Sequence, residues 1–172
     1  MGDSRKIVRK YSTPHHPWLA ERIEAEKVIK TEYGLKNKRE IWKSESMLRG
    51  IRREARKNLA AKTEQAKKEE EQLLKKLIRL NMIKADATLD DVLALNTRDL
   101  LERRLQTVVY KKGLANTVDH ARQLIVHGHV SVSSRKVTSP GYLVRAEEED
   151  GIGFYNYTSE KAQLKMKVKG AS

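Results

Sequence analysis

The sequence predicts an α+β protein: a mainly helical N-terminal region, an embedded helix-turn-helix-plus-hairpin unit, and short C-terminal strands. Apolar residues recur at helical spacing through most of the first hundred positions. Gly113 and Gly128 each close a short amphipathic run, after which valines alternate with polar residues as in a half-buried strand. With 38% hydrophobic against 34% charged residues, a chain of 172 cannot fill one large core. It therefore divides into small units, and part of it gains order from a partner. Composition shifts place the divisions at 1–62 (basic extended arm and helices), 63–100 (central helices), 101–147 (the helix-turn-helix-plus-hairpin unit) and 148–172 (short strands and a basic tail).

Residues 1–20 read as an extended arm, because Pro14 and Pro17 fix φ and discourage helix. The pattern turns helical from Ala20 to Lys30 and is punctuated by Tyr33-Gly34. A second helix spans Lys38 to Ala60, with Ile41, Leu48, Ile51, Ala55 and Leu59 along one side and a broad basic surface on the others. Such a narrow seam beside so much positive charge suits a helix laid against phosphates or a solvated charged face, and periodicity does not separate the two. Residues 61–80 mix Lys with Glu and end in Leu73, Leu74, Leu77, Ile78 and Leu80, a helix with an exposed, ion-paired start and a buried end. Thr88 with Asp91, and Asn96 with Asp99, mark two helix starts of the capping-box kind.

Leu101, Leu105, Val108 and Val109 share one face of a helix that Gly113 ends, with Arg103, Arg104, Lys111 and Lys112 directed away from that face. Asn116 or Thr117 caps the next helix, which buries Val118, Ala121, Leu124 and Ile125 and leaves His120, Arg122, Gln123 and His127 elsewhere. Val130 and Val132 alternate with His129 and Ser131 as a strand, Ser133-Ser134 turns the chain, and Arg135-Lys136-Val137 returns. Pro140-Gly141 turns again before Tyr142-Leu143-Val144.

The formal net charge of +13 is unevenly spread: +9 in residues 1–62, −1 in 63–96, +5 in 97–144 and zero in 145–172. Two basic blocks around a neutral stretch suit a polyanion-binding protein with two contact regions, whereas solubility alone requires no such segregation. Aromatic residues, at 5%, are too few for platforms that stack unpaired bases. Phosphate and shape recognition of folded RNA, or duplex binding, remains. A DNA-reading helix-turn-helix would need several Arg, Asn or Gln at the start of its second helix, and this one offers Arg122 and Gln123 with His120. No run of 18 or more apolar residues exists, and the N-terminus lacks the apolar stretch of a secretory signal, so no membrane partner is expected. The absence of Cys removes disulfide scaffolds, thiol nucleophiles and cysteine zinc sites, and fits a cytosolic protein.

The run Leu101-Glu102-Arg103-Arg104-Leu105-Gln106-Thr107-Val108-Val109-Tyr110, then Ala121-Arg122-Gln123-Leu124-Ile125-Val126-His127-Gly128-His129-Val130-Ser131-Val132, resembles the RNA-binding domain of the S-four family of small-subunit ribosomal proteins. Tyr33 to Glu40 resembles a stretch that precedes this domain in the family, and the short acidic loop Glu147 to Asp150 is similar to the archaeal and eukaryotic branch. The resemblance implies a structural, non-catalytic protein of the cytoplasmic small ribosomal subunit. It would be a primary rRNA binder that nucleates assembly of the subunit body, borders the mRNA entry path and has a role in translational accuracy. Implied partners are small-subunit rRNA, neighbouring small-subunit ribosomal proteins and mRNA near the entry path, with no cofactor and no small-molecule substrate. The implied RNA face comprises Arg103, Arg104, Lys111, Lys112, Thr117, His120, Arg122, Gln123, His127, His129, Arg135 and Lys136. Lys36, Lys38, Arg39, Lys43, Arg49, Arg52, Arg53 and Arg56 would supply the second contact region. One departure is the hairpin tip, where Ser133-Ser134 replaces the family's usual Asn-Gly and weakens the case for a two-residue primed turn.

The alternative is a free-standing RNA chaperone, or an RNA-modifying enzyme carrying the same domain as an appendage. The chaperone needs no second fixed footprint, and the enzyme needs a catalytic module where this sequence is helical and basic. His15-His16 and His127 with His129 invite a metal, but no Cys and no carboxylates at ligand spacing accompany them. Asp86, Asp90, Asp91 and Glu147 to Asp150 read as caps and a solvated loop, and Ser131, Ser133 and Ser134 lack a nucleophile elbow. Leu164 to Lys169 alternates strictly, as a strand on a small sheet or a basic RNA-tracking extension.

Overall fold

A computed structural model describes residues 9–61 and 63–155. In chain order these form α1 (Ala20–Glu32), α2 (Lys38–Ala60), α3 (Glu64–Arg79), α4 (Leu89–Ala94), α5 (Thr97–Glu102), α6 (Leu105–Lys111), α7 (Val118–Val126), β1 (Val130–Val132), β2 (Arg135–Lys136), α8 (Ala146–Glu149) and β3 (Ile152–Phe154). The α+β class holds: helices come first, and a small antiparallel sheet of order β2-β1-β3 follows. The alternating tail Leu164 to Lys169 lies outside the described residues.

α2 is the hub of the N-terminal half. Its Ile41, Leu48, Ile51 and Ala55 recur at helical spacing and are buried. Leu48, Ile51 and Ala55 meet Leu73 and Leu77 of α3 and Leu89 and Val92 of α4 in one core. Ile41 meets Tyr33, Leu35 and Leu101 in a second, so the seam is packed from several sides. Leu59, expected on that seam, is 49% exposed because the buried face continues from Ala55 through Asn58, which is 6% exposed, and leaves Leu59 beside it. The helix starts follow local chemistry. Asp91 accepts from the Thr88 N–H at 2.8 Å and Asp99 from the Asn96 N–H at 2.7 Å, each satisfying a donor the helix leaves open.

The largest departure from the sequence expectation lies at residues 101–112. The apolar spacing predicts one continuous helix there, but α5 ends at Glu102 and α6 begins at Leu105, with Arg103-Arg104 forming a corner. The lost intrahelical bonds are replaced by pairing with a distant segment. The Leu105 N–H donates to the Tyr142 carbonyl at 2.8 Å, and the Val144 N–H donates to the Arg103 carbonyl at 2.9 Å. The corner turns both arginines inward, which corrects their expected outward direction: Arg104 is 6% exposed, and the Arg103 side chain 12%.

α6 and α7 pack Leu105, Val108, Val109, Ala121 and Ile125 against Val130, Val132, Val144 and Ile152. Val118 and Leu124 of the predicted buried side are only half-buried. β1 lies between β2 and β3, and Ser131 is buried along with its valine neighbours, so the expected alternation of burial does not hold. The Ser131 hydroxyl donates to the Gly153 carbonyl at 3.3 Å. Pairing of Val132 with Arg135 leaves a two-residue turn, and Ser133 and Ser134 both have positive φ, 47° and 66°. That is the primed geometry that matches strand twist, here adopted without Asn-Gly. The Ser133 N–H is held by the Gly151 carbonyl at 3.0 Å. Glu147 to Asp150 is solvent-facing as expected but helical through Glu149 and not a loop. The segment enters α8, and the Glu148 carboxylate accepts from the Tyr142 hydroxyl at 2.8 Å and the Arg145 N–H at 3.2 Å.

Candidate nucleic-acid interface

On and just before α2, Lys36, Arg39, Lys43, Arg49, Arg53 and Arg56 are exposed. None of the six forms an ion pair with a described residue. Residues 9–12 lie beside this helix: the Ser12 N–H donates to Ser46 Oγ at 3.1 Å, and Arg49 Nη1 donates to Ser12 Oγ at 2.8 Å. Tyr11 sits 6.0 Å from the Trp42 ring, with the Arg9 guanidinium 5.4 Å above the Tyr11 centroid. Between arm and helix runs a cleft of about 770 Å³ lined by Arg9, Lys10, Arg49, Arg53 and Arg56, with Gly50 among its walls and no carboxylate among the described residues that line it. Five cations converging on one cleft form a field that attracts a phosphate backbone. Arg9 and Lys10 were not singled out from the sequence, and their signal was diluted in the general basicity of residues 1–62. Lys38 and Arg52 turn inward instead, to Glu26 at 2.9 Å and the Leu95 carbonyl at 2.5 Å.

The C-terminal cations are placed differently. Arg103 pairs with Glu149 at 2.7 Å, Lys111 with Glu102 at 2.8 Å, and the Lys112 amine donates to the Glu149 carbonyl. Thr117 caps α7, its Oγ1 accepting from the His120 N–H at 3.1 Å, and His120 Nδ1 lies 3.4 Å from the Asn116 N–H. Gln123, His127, Arg135 and Lys136 remain exposed and His129 half-exposed. The His127 and His129 rings stack at 6.3 Å. Gly128, at φ +75°, leaves room for the Lys136 stem, which would lie 2.0 Å from a Cβ placed there.

Arg104 and Arg122 converge on one carboxylate at the seam between the two halves. Glu40 Oε1 accepts from Arg122 Nη2 at 2.8 Å, while Oε2 accepts from Arg104 Nη2 and, at 3.4 Å, from Arg122 Nη1. Gln106, 1% exposed, donates from Nε2 to the carbonyls of Gly34 at 2.9 Å and Val118 at 3.1 Å. Gly34 has φ +55°, and a Cβ there would stand 2.8 Å from Asp119 Oδ1 and 2.9 Å from Gln106 Nε2, so this turn accepts only glycine without strain. Burial acts to raise the Glu40 carboxyl, but hydrogen bonds from Arg122 and Arg104, with their charges, outweigh it and hold the group below the usual carboxylate range. Glu26 is depressed in the same way: burial is overcome by Trp42, Lys38 and Arg22. Sequence reading gave Glu40 and Gln106 no such role. The available signals were one acid in the first turn of a basic helix and one amide inside the apolar run from Leu105 to Val109.

Among the described residues, no group of His, Asp or Glu is arranged to hold a metal ion, and no helix is long and apolar enough to cross a membrane.

Two family profiles together match most of the chain: the ribosomal protein S4/S9 N-terminal domain over residues 1–102 and the S4 domain over residues 103–150. The chain is 57% identical to the small ribosomal subunit protein uS4 of Ignicoccus hospitalis, across 90% of this chain and 93% of that protein. It is 51% identical to the protein of the same name from Methanothermobacter thermautotrophicus, across 95% and 96% respectively. The counterpart in Saccharolobus solfataricus is 49% identical, across 95% and 91%. All three relatives come from archaea.

Proposed function

This chain belongs to the uS4 family of small ribosomal subunit proteins, and from that premise we propose that it is a primary rRNA binder that grips one folded RNA at two separate faces. It is a structural, non-enzymatic constituent of the small ribosomal subunit. In this reading residues 1–62 supply one face through Lys36, Arg39, Lys43 and the cleft cations Arg49, Arg53 and Arg56. Residues 101–147 supply the other through Gln123, His127, His129, Arg135 and Lys136. Binding at a multi-helix rRNA junction orders that junction early and so nucleates the subunit body. Proximity to the mRNA entry path, contact with neighbouring ribosomal proteins and an influence on accuracy belong to the same proposal.

The observation that carries it is the cationic cleft between residues 9–12 and α2, which no described carboxylate lines. Several phosphates neutralised together make affinity fall linearly with salt on logarithmic axes. The test is filter binding of the full chain to small-subunit rRNA across a salt series, with an unrelated structured RNA as competitor. The expected result is tight binding with a slope of several units that the competitor does not match. Equal competition by the unrelated RNA, or no binding at moderate salt, would overturn the proposal.

A further inference from the structure

We infer that Glu40, Arg104, Arg122 and Gln106 form a clasp that sets the spacing of the two RNA-binding faces, so that the two arginines act on RNA through position and not by touching phosphate. The inference rests on the RNA-binding reading above and gives these residues a role that reading leaves open.

Four features of the seam support it. The partners come from opposite halves of the molecule: Glu40 opens α2, which carries the cationic cleft, while Arg104 precedes α6 and Arg122 lies on α7. Their side chains are largely withdrawn from solvent, at 18%, 8% and 21% exposure, and the guanidiniums are engaged by Glu40, so a phosphate would compete with that carboxylate for them. The carboxylate takes both guanidiniums and the nearby amide of Gln106 takes two backbone carbonyls, so the polar groups fix an angle as well as a distance. The Tyr33-Gly34 turn fits beneath this set with no space for a side chain at Gly34, which keeps the halves in register.

The alternative is that Arg104 and Arg122 are phosphate contacts held in reserve by Glu40, and the two roles differ in sign. Removing a carboxylate from beside two phosphate-binding arginines frees them and tightens RNA binding. Removing it from a clasp loosens the spacing and weakens binding. The experiment measures affinity and salt slope for small-subunit rRNA with the full-length chain and the variants Glu40→Gln and Arg122→Lys, each checked as folded by its denaturation curve. Under the clasp, Glu40→Gln binds about tenfold more weakly with an unchanged slope, because no phosphate contact is lost. Arg122→Lys, which keeps the charge but not the planar fork, is weakened similarly, again at constant slope. Tighter binding by Glu40→Gln, or an Arg122→Lys affinity within about twofold of the parent, would overturn the clasp and leave a parent that still binds. Failure of the parent chain itself to bind would strike the RNA-binding reading instead. Should Glu40→Gln not fold, Arg122→Lys decides the question alone.

Discussion

Along α2, Arg49, Arg53 and Arg56 face solvent and form no ion pair with a described residue, whereas in the C-terminal unit Arg103, Arg104 and Arg122 are folded inward onto Glu149 and Glu40. Both regions read as basic blocks, +9 for residues 1–62 and +5 for residues 97–144. Net charge therefore measures how many cations a segment carries but not how many it can offer. In the first region the charge is available because the helix buries a narrow apolar seam and leaves its other sides open. In the second, much of it holds the architecture together.

That contrast can be broken most decisively at Glu40. Glu40→Ala leaves two largely buried guanidiniums without their acid, and a loss of about 3–5 kcal/mol of stability is expected in urea denaturation. A loss below about 1 kcal/mol would mean that the inward arginines are as dispensable as surface ones. Next in size, Gly34→Ala should cost about 2 kcal/mol, from the left-handed backbone and the close approach of Asp119 and Gln106, as read by a thermal melt. An unchanged melt would show that the turn does not register the two halves.

The open side is sharpened by Arg53→Ala combined with Arg56→Ala. Stability should stay within about 0.5 kcal/mol of the parent. RNA affinity should fall about tenfold, with the salt slope reduced by about one to two units. Loss of affinity at constant slope would remove these residues from phosphate contact. The smallest effect is one of pH. Because the folded-state carboxyl of Glu40 is depressed, its contribution is fully present above the ordinary carboxylate pKa and is lost as pH falls through the depressed value. The stability gap between the parent and Glu40→Gln should therefore narrow in acid, and a gap independent of pH down to acid unfolding would contradict the assignment.

Where a feature depends on nearby residues, the sequence was a good guide. The Thr88 and Asn96 starts, the Thr117 cap and the Gly113 and Gly128 stops all follow from chemistry within four residues. The corner at Arg103-Arg104 was not legible, because Leu101, Leu105, Val108 and Val109 satisfy a straight helix equally well. What breaks the helix is the backbone around residues 142–144. The same distance hid which cations are engaged. Glu149 lies 46 residues from Arg103, and Glu40 lies 64 from Arg104 and 82 from Arg122. No local spacing rule connects such pairs. The exposed cations of α2 were legible as candidates, but only the packing of residues 9–12 against the helix turns them into a cleft.

The hairpin tip has a consequence for how the second face meets a partner. With Ser133 and Ser134 both in the left-handed region and Ser133 tied back to Gly151, the β1–β2 turn is anchored at a third point besides its two strands. A dangling loop gives up backbone freedom worth about 1–2 kcal/mol per residue when it settles on a surface. This tip has already given it up during folding, so Arg135 and Lys136 arrive on a stiff stalk. Such stiffness slows departure more than it speeds arrival, and loosening the tie at Gly151 would shorten the lifetime of the complex while leaving the encounter rate nearly untouched.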